Sequence, residues 1–317
     1  MRMQRLSPGD VPSGAGGSAV SIGMYDGVHR GHQWLLRQLR RQATAEELRS
    51  VVVTFEPHPL QVLRPVAAPR LLSDLDLRLR LLDRAGVDAC LVVPFDLVRQ
   101  EQSAAAFVEE VLVGQLRTSR VLVGADFRFG RDRTGDVALL QEQGLRHGFR
   151  ARGLPLLPVR SSAAHVPCSS TYIRGLIAQG DVELAGRLLD RPHEVDGVVV
   201  GTSRPAPGRG TPTVVVRVQA YRALPTEGSY AGALVTSSSG RRLTAGVSVR
   251  QGITAHDRAL LDVHVVGEVA SLIDQGVRVT LARRVWTTDR KELYLQLARQ
   301  AEEAARASAA GGWGSAS

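Results

Sequence analysis

The chain has 317 residues, 44% of them hydrophobic, and a formal net charge of +9. Such a length can bury two domain cores. No apolar run approaches a membrane span and residues 1–17 lack the apolar core of a secretion signal, so we expect a cytoplasmic protein without a membrane partner. Arginines are scattered with few aromatic residues between them, which predicts anionic ligands and no nucleic-acid partner. Two cysteines, Cys90 and Cys168, exclude a disulfide scaffold and are expected to be reduced thiols.

The first clear pattern is a strand followed by a helix. Residues 17–22 are small or apolar and end at Gly23, which predicts a short buried strand and a tight turn. From Trp34 to Leu39 apolar residues recur at helical spacing, with arginines on the opposite face. The glycines and histidines of residues 21–32 therefore lie between a strand and a helix.

This position predicts a nucleotide-phosphate site. The first helical turn has unpaired N–H groups and the positive end of the helix dipole, and both attract phosphate. His29 and His32 lie on the same side of such a turn and can stabilise charge that develops at phosphorus. The same spacing also fits two solvated side chains or half of a zinc site. Because Lys291 is the only lysine, a Walker-type lysine is excluded.

Further strands at residues 51–55, 89–93 and 120–124, with a helix at 104–116, predict a mostly parallel sheet covered on both faces. Ligands bind such sheets at the carboxyl ends of the strands. His58 follows one of these strands between two prolines, either near that edge or in a rigid turn. Asp126 and Phe127 follow another, where an aromatic face can hold a planar ring or pack in the core.

Three consecutive hydroxyls, Ser169, Ser170 and Thr171, precede a helix that is predicted to start near Thr171. Ordinary N-capping explains one hydroxyl. A phosphate-binding turn would explain all three together with Arg174. A second helix is predicted over residues 181–189, and we expect the domain boundary at Asp190.

Beyond residue 190 the pattern changes to short β-branched segments separated by glycine, serine and proline turns. Six strands predict a small antiparallel barrel or sandwich, at 195–200, 213–220, 230–236, 243–249, 260–266 and 277–286. Residues 289–307 are amphipathic and predict a closing helix. The predicted organisation is a flexible N-terminus (1–17), an α/β domain (18–190), a β-barrel domain (191–308) and a flexible tail (309–317).

Four motifs in order resemble those of the bifunctional prokaryotic riboflavin kinase and FAD synthetase family. They are Gly-Met-Tyr-Asp-Gly-Val-His-Arg-Gly-His at 23–32, Thr-Phe-Glu-Pro-His-Pro at 54–59, Val-Gly-Ala-Asp-Phe-Arg-Phe-Gly at 123–130 and Ser-Ser-Thr-Tyr-Ile-Arg at 169–174. The resemblance covers residues 18 to about 305 and implies a Rossmann-like nucleotidyltransferase domain followed by a riboflavin kinase-like barrel. The family has Asn-Phe at the place of Met24 and Tyr25, so a polar side chain is lost at Met24.

The resemblance implies that the adenylyl group of ATP is transferred to the phosphate of FMN, giving FAD and pyrophosphate, with Mg²⁺ neutralising the leaving pyrophosphate. Three residues would be catalytic: His29, His32 and Arg174. The ATP phosphates would be bound by Gly23, Tyr25, Asp26, Gly31, Ser169, Ser170 and Thr171. The acceptor and the nucleotide would contact His58, Asp126 and Phe127. Protein ligands for the metal are not identified.

The kinase half departs from the family where its chemistry lies. The family has Gly-Phe-Pro-Thr-Ala-Asn where residues 210–215 read Gly-Thr-Pro-Thr-Val-Val, so Val215 offers no oxygen for Mg-ATP. The glutamate of its Glu-Val-His is Asp262 here, and a shift of about 1 Å in a catalytic group can cost on the order of a hundredfold in rate. Thr213 and Asp262 are therefore predicted remnants of a kinase whose activity is weak or lost. Glu268 would supply another base but no asparagine.

Three alternatives to this function stay open. The first is the use of CTP or of a different phosphorylated acceptor. The second is a fully bifunctional enzyme, and the third is a protein that binds flavin nucleotides without catalysis. Small-molecule nucleotides are the expected partners in each case.

Overall fold

The computed structural model describes residues 3–10, 16–155, 157–160, 165–203, 212–250, 258–266 and 272–285. The chain forms two compact units. The first comprises Met1–Pro69 and Ser73–Tyr172, and the second comprises Arg70–Leu72 and Ile173–Ser317. The division lies between Tyr172 and Ile173, inside a helix. The domain boundary that the sequence predicts at Asp190 stays a prediction.

The core of the first unit is a six-stranded sheet in the order β1-β4-β3-β2-β5-β6, with every neighbouring pair parallel. Its strands are β1 (Gln4–Leu6), β2 (Ser18–Ile22), β3 (Arg49–Glu56), β4 (Ala89–Pro94), β5 (Thr118–Gly124) and β6 (Arg150–Leu154). The predicted parallel sheet is confirmed. All five residues of β2 are buried, as a strand covered on both faces requires.

The edge strand β1 was not predicted. Its three residues pair with Ala89–Leu91 of β4, so the flexibility expected of residues 1–17 does not hold for Gln4–Leu6. Three residues are too few for a periodic pattern, and only the neighbouring strand reveals this one. A short antiparallel pair, β7 (Pro158–Arg160) and β8 (His165–Pro167), completes the strands of this unit.

The chain direction across the sheet reverses beside β2. From β2 the chain moves outward to β3 and β4, and it then returns to place β5 and β6 on the other side of β2. In open parallel sheets such a reversal leaves a crevice at the carboxyl ends of the two central strands, where ligands bind. The residues that follow β2 and β5 therefore meet at this crevice.

Helices cover both faces of the sheet. They are α1 (Arg30–Ala45), α2 (Pro59–Leu63), α3 (Leu75–Arg84), α4 (Leu97–Gln100), α5 (Ala104–Phe107) and α6 (Val137–His147). The helix predicted over residues 104–116 is α5 continued by a π-helix, Val108–Gln115. Helix α1 buries Leu35, Leu36 and Leu39 on one face, as its apolar spacing predicts.

The second unit contains α7 (Ser170–Gln179) from Ile173 onward, α8 (Val182–Leu189) and a closed barrel in the order β10-β13-β12-β11-β14-β9. The barrel strands are β9 (His193–Ser203), β10 (Thr213–Gln219), β11 (Gly228–Thr236), β12 (Arg242–Arg250), β13 (Arg258–Val265) and β14 (Gly276–Val285). All neighbouring strands are antiparallel. Because β9 also pairs with β10, the sheet closes on itself, so the predicted barrel is confirmed and the sandwich is excluded.

Alternate residues of the barrel strands form its core. On β10 the side chains of Val214, Val216 and Val218 are buried, and the residues between them lie on the outer face. The predicted closing helix at 289–307 and the tail lie outside the described residues. Within the described part of the chain, no helix is both long and apolar enough to cross a membrane.

We predict that Gly232→Ala destabilises the barrel. A Cβ at Gly232 on β11 would lie 1.8 Å from the carbonyl oxygen of Thr280 on β14, so the two strands would have to separate. The expected loss is about 2–3 kcal/mol of the free energy of unfolding, measured by chemical denaturation. Gly175→Ala in α7 is the matched control, because a Cβ there meets no atom within 4 Å and should stabilise the helix by about 0.5–1 kcal/mol. Equal stability of the two variants would contradict the prediction.

Candidate functional site

A cavity of about 220 Å³ lies in the first unit at the reversal point of the sheet. Its lining comes from the turn after β2, the loop after β5 and the segments that follow β6 and β8. The polar and aromatic lining residues include Tyr25, His29, His32, Asp126, Phe127, Cys168, Ser169 and Ser170, with the glycines Gly23, Gly31 and Gly124 between them. Three of the four sequence motifs, at 23–32, 123–130 and 169–174, therefore meet at one crevice.

The two predicted histidines lie side by side in this cavity. The rings of His29 and His32 stack with their centroids 3.7 Å apart. His29 is also the N-cap of α1, and its Nδ1 accepts a hydrogen bond from the backbone N–H of His32 at 3.4 Å. The prediction that both imidazoles share one side of the turn is confirmed. One of the N–H groups expected for phosphate is, however, already used by the cap.

Tyr25 anchors the turn that carries the histidines. Its backbone has a left-handed conformation with φ of 49°, and its buried hydroxyl donates to Ser21 Oγ at 2.6 Å. Burial raises the pKa of the Tyr25 phenol, so the hydroxyl stays neutral. The Tyr25 ring centroid lies 4.9 Å from that of His32. The hydroxyl of Tyr25 thus has an internal partner and its ring lies against His32, while the predicted role of Tyr25 in phosphate binding stays a prediction.

Asp26 is a structural carboxylate in this structure. It is only 1% exposed, and Oδ1 accepts hydrogen bonds from the backbone N–H and the hydroxyl of Ser73 at 2.9 and 3.1 Å. The Ser73 hydroxyl in turn accepts from the N–H of Gly27 at 2.8 Å. Asp26 is not among the lining residues of the cavity, and its contact with the ATP phosphates stays a prediction. The sequence did not indicate Ser73 as a partner of Asp26, since Ser73 lies 47 residues further along the chain.

A buried arginine supports the same turn from the other side. Arg78 on α3 is 0% exposed and donates to Thr54 Oγ1 at 3.0 Å and to the Phe55 carbonyl at 2.9 Å. Thr54 Oγ1 donates to the carbonyl of Met24 at 3.2 Å. Arg78 also pairs with Glu56 at 3.1 Å. These contacts join the end of β3 to the turn after β2, and no motif in the sequence pointed to Arg78.

The hydroxyl triplet is divided between structural contacts and the cavity. Ser169 Oγ accepts from the N–H of Tyr172 at 3.2 Å, and Ser170 Oγ donates to the carbonyl of Asp26 at 2.9 Å. Ser169 and Ser170 line the cavity, whereas Thr171 and Arg174 are not among its lining residues. Arg174 is grouped with the second unit on α7. Roles for Thr171 and Arg174 in phosphate binding stay predictions.

The residues predicted to contact the acceptor substrate and the nucleotide are also divided between the cavity and structural contacts. Asp126 is exposed at the cavity, and Phe127 lines it while stacking on Phe129 at a centroid distance of 5.3 Å. His58 is absent from the lining and caps α2, where its Nδ1 accepts from the N–H of Leu60 at 3.1 Å. The rigid-turn interpretation of His58 therefore agrees with the contacts.

Cys168 lies beside His29 and was not predicted to be part of the site. Its side chain is 2% exposed, and Sγ lies 3.6 Å from His29 Nδ1. Burial raises the pKa of the Cys168 thiol, although contacts with the N–H groups of Gly31 and Arg30 oppose the shift. The thiol is therefore protonated at neutral pH. Its position directly before Ser169 was the only sequence signal that pointed to the site.

The barrel brings the predicted kinase remnants to adjacent strands. Thr213 on β10 faces His264 on β13 in register, with Thr213 Oγ1 and His264 Nδ1 3.0 Å apart. Val215 is the register partner of Asp262. The Asp262 carboxylate is 6% exposed and forms an ion pair with Arg250. Both remnants thus already have side-chain partners within the barrel.

Comparison with known proteins identifies the family to which these motifs belong. The sequence model of the FAD synthetase family matches residues 12–170. The chain belongs to this family. The bifunctional riboflavin kinase/FMN adenylyltransferase of Pseudomonas fluorescens is 34% identical over 269 residues, which cover 85% of each chain. The protein of the same name from Escherichia coli (strain K12) is 33% identical over 289 residues, covering 89% of this chain and 90% of the relative.

A solved structure has the same architecture as this member of the FAD synthetase family. It is described as a macrolide-efflux protein from Streptococcus pneumoniae and matches with a TM-score of 0.75 at 25% identity, covering 95% of this chain and 98% of the other. With the family match, the two units are a nucleotidyltransferase domain and a barrel of the riboflavin kinase type. The chain is therefore a nucleotidyltransferase enzyme, and the expectation of a protein that binds without catalysis is set aside.

We predict that the two aspartates, Asp26 and Asp126, differ in their contribution to the free energy of unfolding. Asp26→Ala should lower the free energy of unfolding by about 1–3 kcal/mol, because it leaves the buried Ser73 N–H without an acceptor. Asp126→Ala should change the free energy of unfolding by less than about 0.5 kcal/mol, because its carboxylate is exposed. Thermal melting checks both values. A large loss of stability in Asp126→Ala would show that the loop after β5 depends on this carboxylate.

Proposed function

We propose that this enzyme transfers the adenylyl group of ATP to the phosphate of FMN, producing FAD and pyrophosphate. The observation that carries the proposal is the stacked pair His29 and His32 in a cavity at the reversal point of a parallel sheet. The FAD synthetase match covers this part of the chain, and two relatives are named as FMN adenylyltransferases. We infer FMN as the acceptor and ATP as the donor from the similarity to these proteins.

The reaction needs positioning more than it needs a nucleophile from the protein. The FMN phosphate is already an anion and attacks the α-phosphorus in line, while the bond to pyrophosphate breaks. His29 and His32 donate hydrogen bonds to the phosphate oxygens on which charge develops. Gly23 and Gly31 line the cavity without side chains, which allows a phosphate to approach the backbone. Ser169 supplies a hydroxyl at the same wall.

Magnesium fits this site as a partner of the nucleotide. Among the described residues, no cluster of three or more His, Cys, Asp or Glu side chains is built to hold a metal. Asp126 is an exposed carboxylate at the cavity, and Mg²⁺ commonly binds one such carboxylate together with water and substrate phosphates. When bound, Mg²⁺ would neutralise charge on the leaving pyrophosphate. Asp126 is its proposed protein ligand.

We also propose that riboflavin kinase activity is weak or lost. Val215 has no oxygen for a cation, Asp262 is ion-paired with Arg250, and Thr213 contacts His264. The ion pair with Arg250 occupies the carboxylate that would have to contact a substrate hydroxyl. The bifunctional relatives favour the alternative that both activities are kept. A different phosphorylated acceptor, or CTP as donor, is the remaining alternative.

We predict that the purified enzyme forms FAD and pyrophosphate from FMN, ATP and Mg²⁺. From riboflavin and ATP it should form FMN at least about 100-fold more slowly. Mass analysis of the products and a coupled pyrophosphate assay measure both rates. The double variant Val215→Asn, Asp262→Glu should raise FMN formation and leave FAD formation unchanged.

Comparable rates of the two reactions would support a bifunctional enzyme and overturn the proposal of a weak kinase. Faster turnover when CTP replaces ATP, or product only with another phosphorylated acceptor, would contradict the proposed substrates. Cytoplasmic location and the lack of a nucleic-acid partner stay predictions from the sequence.

We predict that His29→Ala slows adenylyl transfer by about 100-fold while changing FMN affinity less than about threefold, because the imidazole acts on the transition state. The variant also loses the cap of α1, which costs about 1 kcal/mol of stability. His29→Asn is the matched control, since asparagine restores an N-cap without an imidazole. Its stability should return to that of the unchanged enzyme, and its turnover should stay low. Recovery of turnover in His29→Asn would assign His29 to capping alone.

A further inference from the structure

The ring nitrogen Nδ1 of His29 points to the protein and accepts hydrogen bonds there. The backbone N–H of His32 donates to it at 3.4 Å, as part of the N-cap of α1. A backbone N–H can only donate, so Nδ1 must present a lone pair. With a proton on Nδ1, two hydrogen-bond donors, the Nδ1–H of His29 and the backbone N–H of His32, would face each other without an acceptor. The neutral ring of His29 therefore carries its proton on Nε2.

The thiol of Cys168 approaches the same nitrogen from a distant part of the chain. Its Sγ lies 3.6 Å from His29 Nδ1, across 139 residues of sequence. The N–H groups of Arg30 and Gly31, at the start of α1, oppose the rise that burial causes in the pKa of the thiol. The thiol has one S–H to donate, and Nδ1 of His29 presents a lone pair within reach of it. The thiol thus links the first turn of α1 to the His29 ring.

Close packing makes this contact specific. A Cβ on Gly31 would lie 2.9 Å from the carbonyl oxygen of Cys168 and 3.1 Å from His29 Nδ1. Only glycine at this position lets the segment with Cys168 reach the start of α1. On its other side the His29 ring stacks on His32 at 3.7 Å. The imidazole is therefore held between a ring and a thiol, with its orientation set from both sides.

We propose that Cys168 is a positioning residue for adenylyl transfer, whose thiol, together with the backbone N–H of His32, holds His29 as the neutral Nε2–H tautomer so that the ring donates a hydrogen bond to a nucleotide phosphate. This rests on the proposed function of the site. Cys168 acts through His29 and contacts no reacting atom. Its contribution appears when charge develops on the phosphate, so the turnover number changes and the Michaelis constant for ATP does not.

The test compares three substitutions at Cys168 with one at Cys90. Cys168→Val replaces the thiol with a slightly larger apolar side chain that has no donor, and the turnover number should fall by about 3- to 10-fold with an unchanged KM for ATP. Cys168→Ser restores a donor and should recover most of the rate, whereas Cys168→Ala should behave like Cys168→Val. Cys90→Ala removes an equally buried thiol from β4, away from the cavity lining, and should leave turnover unchanged.

Nitrogen NMR of the histidine-labelled enzyme reads the tautomer without any turnover. Two-bond proton–nitrogen correlations should give the Nε2–H pattern for His29, with the signal assigned from His29→Asn. In Cys168→Val the Nδ1 resonance should move towards that of an acceptor nitrogen with one donor fewer, and Cys168→Ser should reverse the shift. An Nδ1–H pattern in the unchanged enzyme would overturn the proposal.

Unchanged turnover together with an unmoved Nδ1 signal in Cys168→Val would also overturn it. A rise in the KM for ATP at constant turnover number would overturn the proposal as well, because it would show that Cys168 only packs the cavity wall. Failure of the unchanged enzyme to make FAD from FMN and ATP would count against the proposed function. In that case the NMR comparison still decides whether the Cys168 thiol donates a hydrogen bond to Nδ1 of His29.

Discussion

The turn between β2 and α1 is held in a backbone conformation that most side chains avoid, and the site depends on it. Tyr25 and Val28 both have positive φ, at 49° and 40°. Such strain persists only where the surroundings impose it. Ser21, Ser73 and Thr54 supply those surroundings through hydrogen bonds to the turn or to Asp26 within it. The histidines are thus presented to the cavity by a turn whose polar groups have partners inside the protein.

The residues that hold the turn are therefore different from most of the residues that line the cavity. Asp26 and Arg78 are buried charges, each held by hydrogen bonds to neighbouring strands and loops. Among the described residues that line the cavity, Asp126 is the one acidic or basic side chain besides the histidines, and it is exposed. A phosphate ligand would therefore meet imidazoles, hydroxyls and glycine backbone. These groups can stabilise developing negative charge without moving, which is the preorganisation that transfer at phosphorus requires.

The two units differ in how their polar side chains are used. In the first unit both histidines line the cavity, and Nδ1 of His29 contacts the His32 N–H and the Cys168 thiol. In the barrel Thr213 and Asp262 contact polar side chains of the neighbouring strands, His264 and Arg250. Asp262 is also in register with the valine at position 215 of β10. These contacts within the barrel support the proposal that its kinase activity is weak, whereas both histidines of the first unit line a cavity.

The sequence by itself determined the architecture, because apolar periodicity reports which faces are buried, and it located the motifs at strand ends. It also placed His29, His32, Asp126 and Phe127 at the site, since parallel strands bring their carboxyl ends together. Only the tertiary structure assigned Asp26 and His58 to internal contacts and revealed Ser73, Arg78 and Cys168. The last three contact residues from 22 to 139 positions away, so no local pattern encodes them. Motif membership identified residues near the cavity, and three-dimensional packing decided which of their side chains line it.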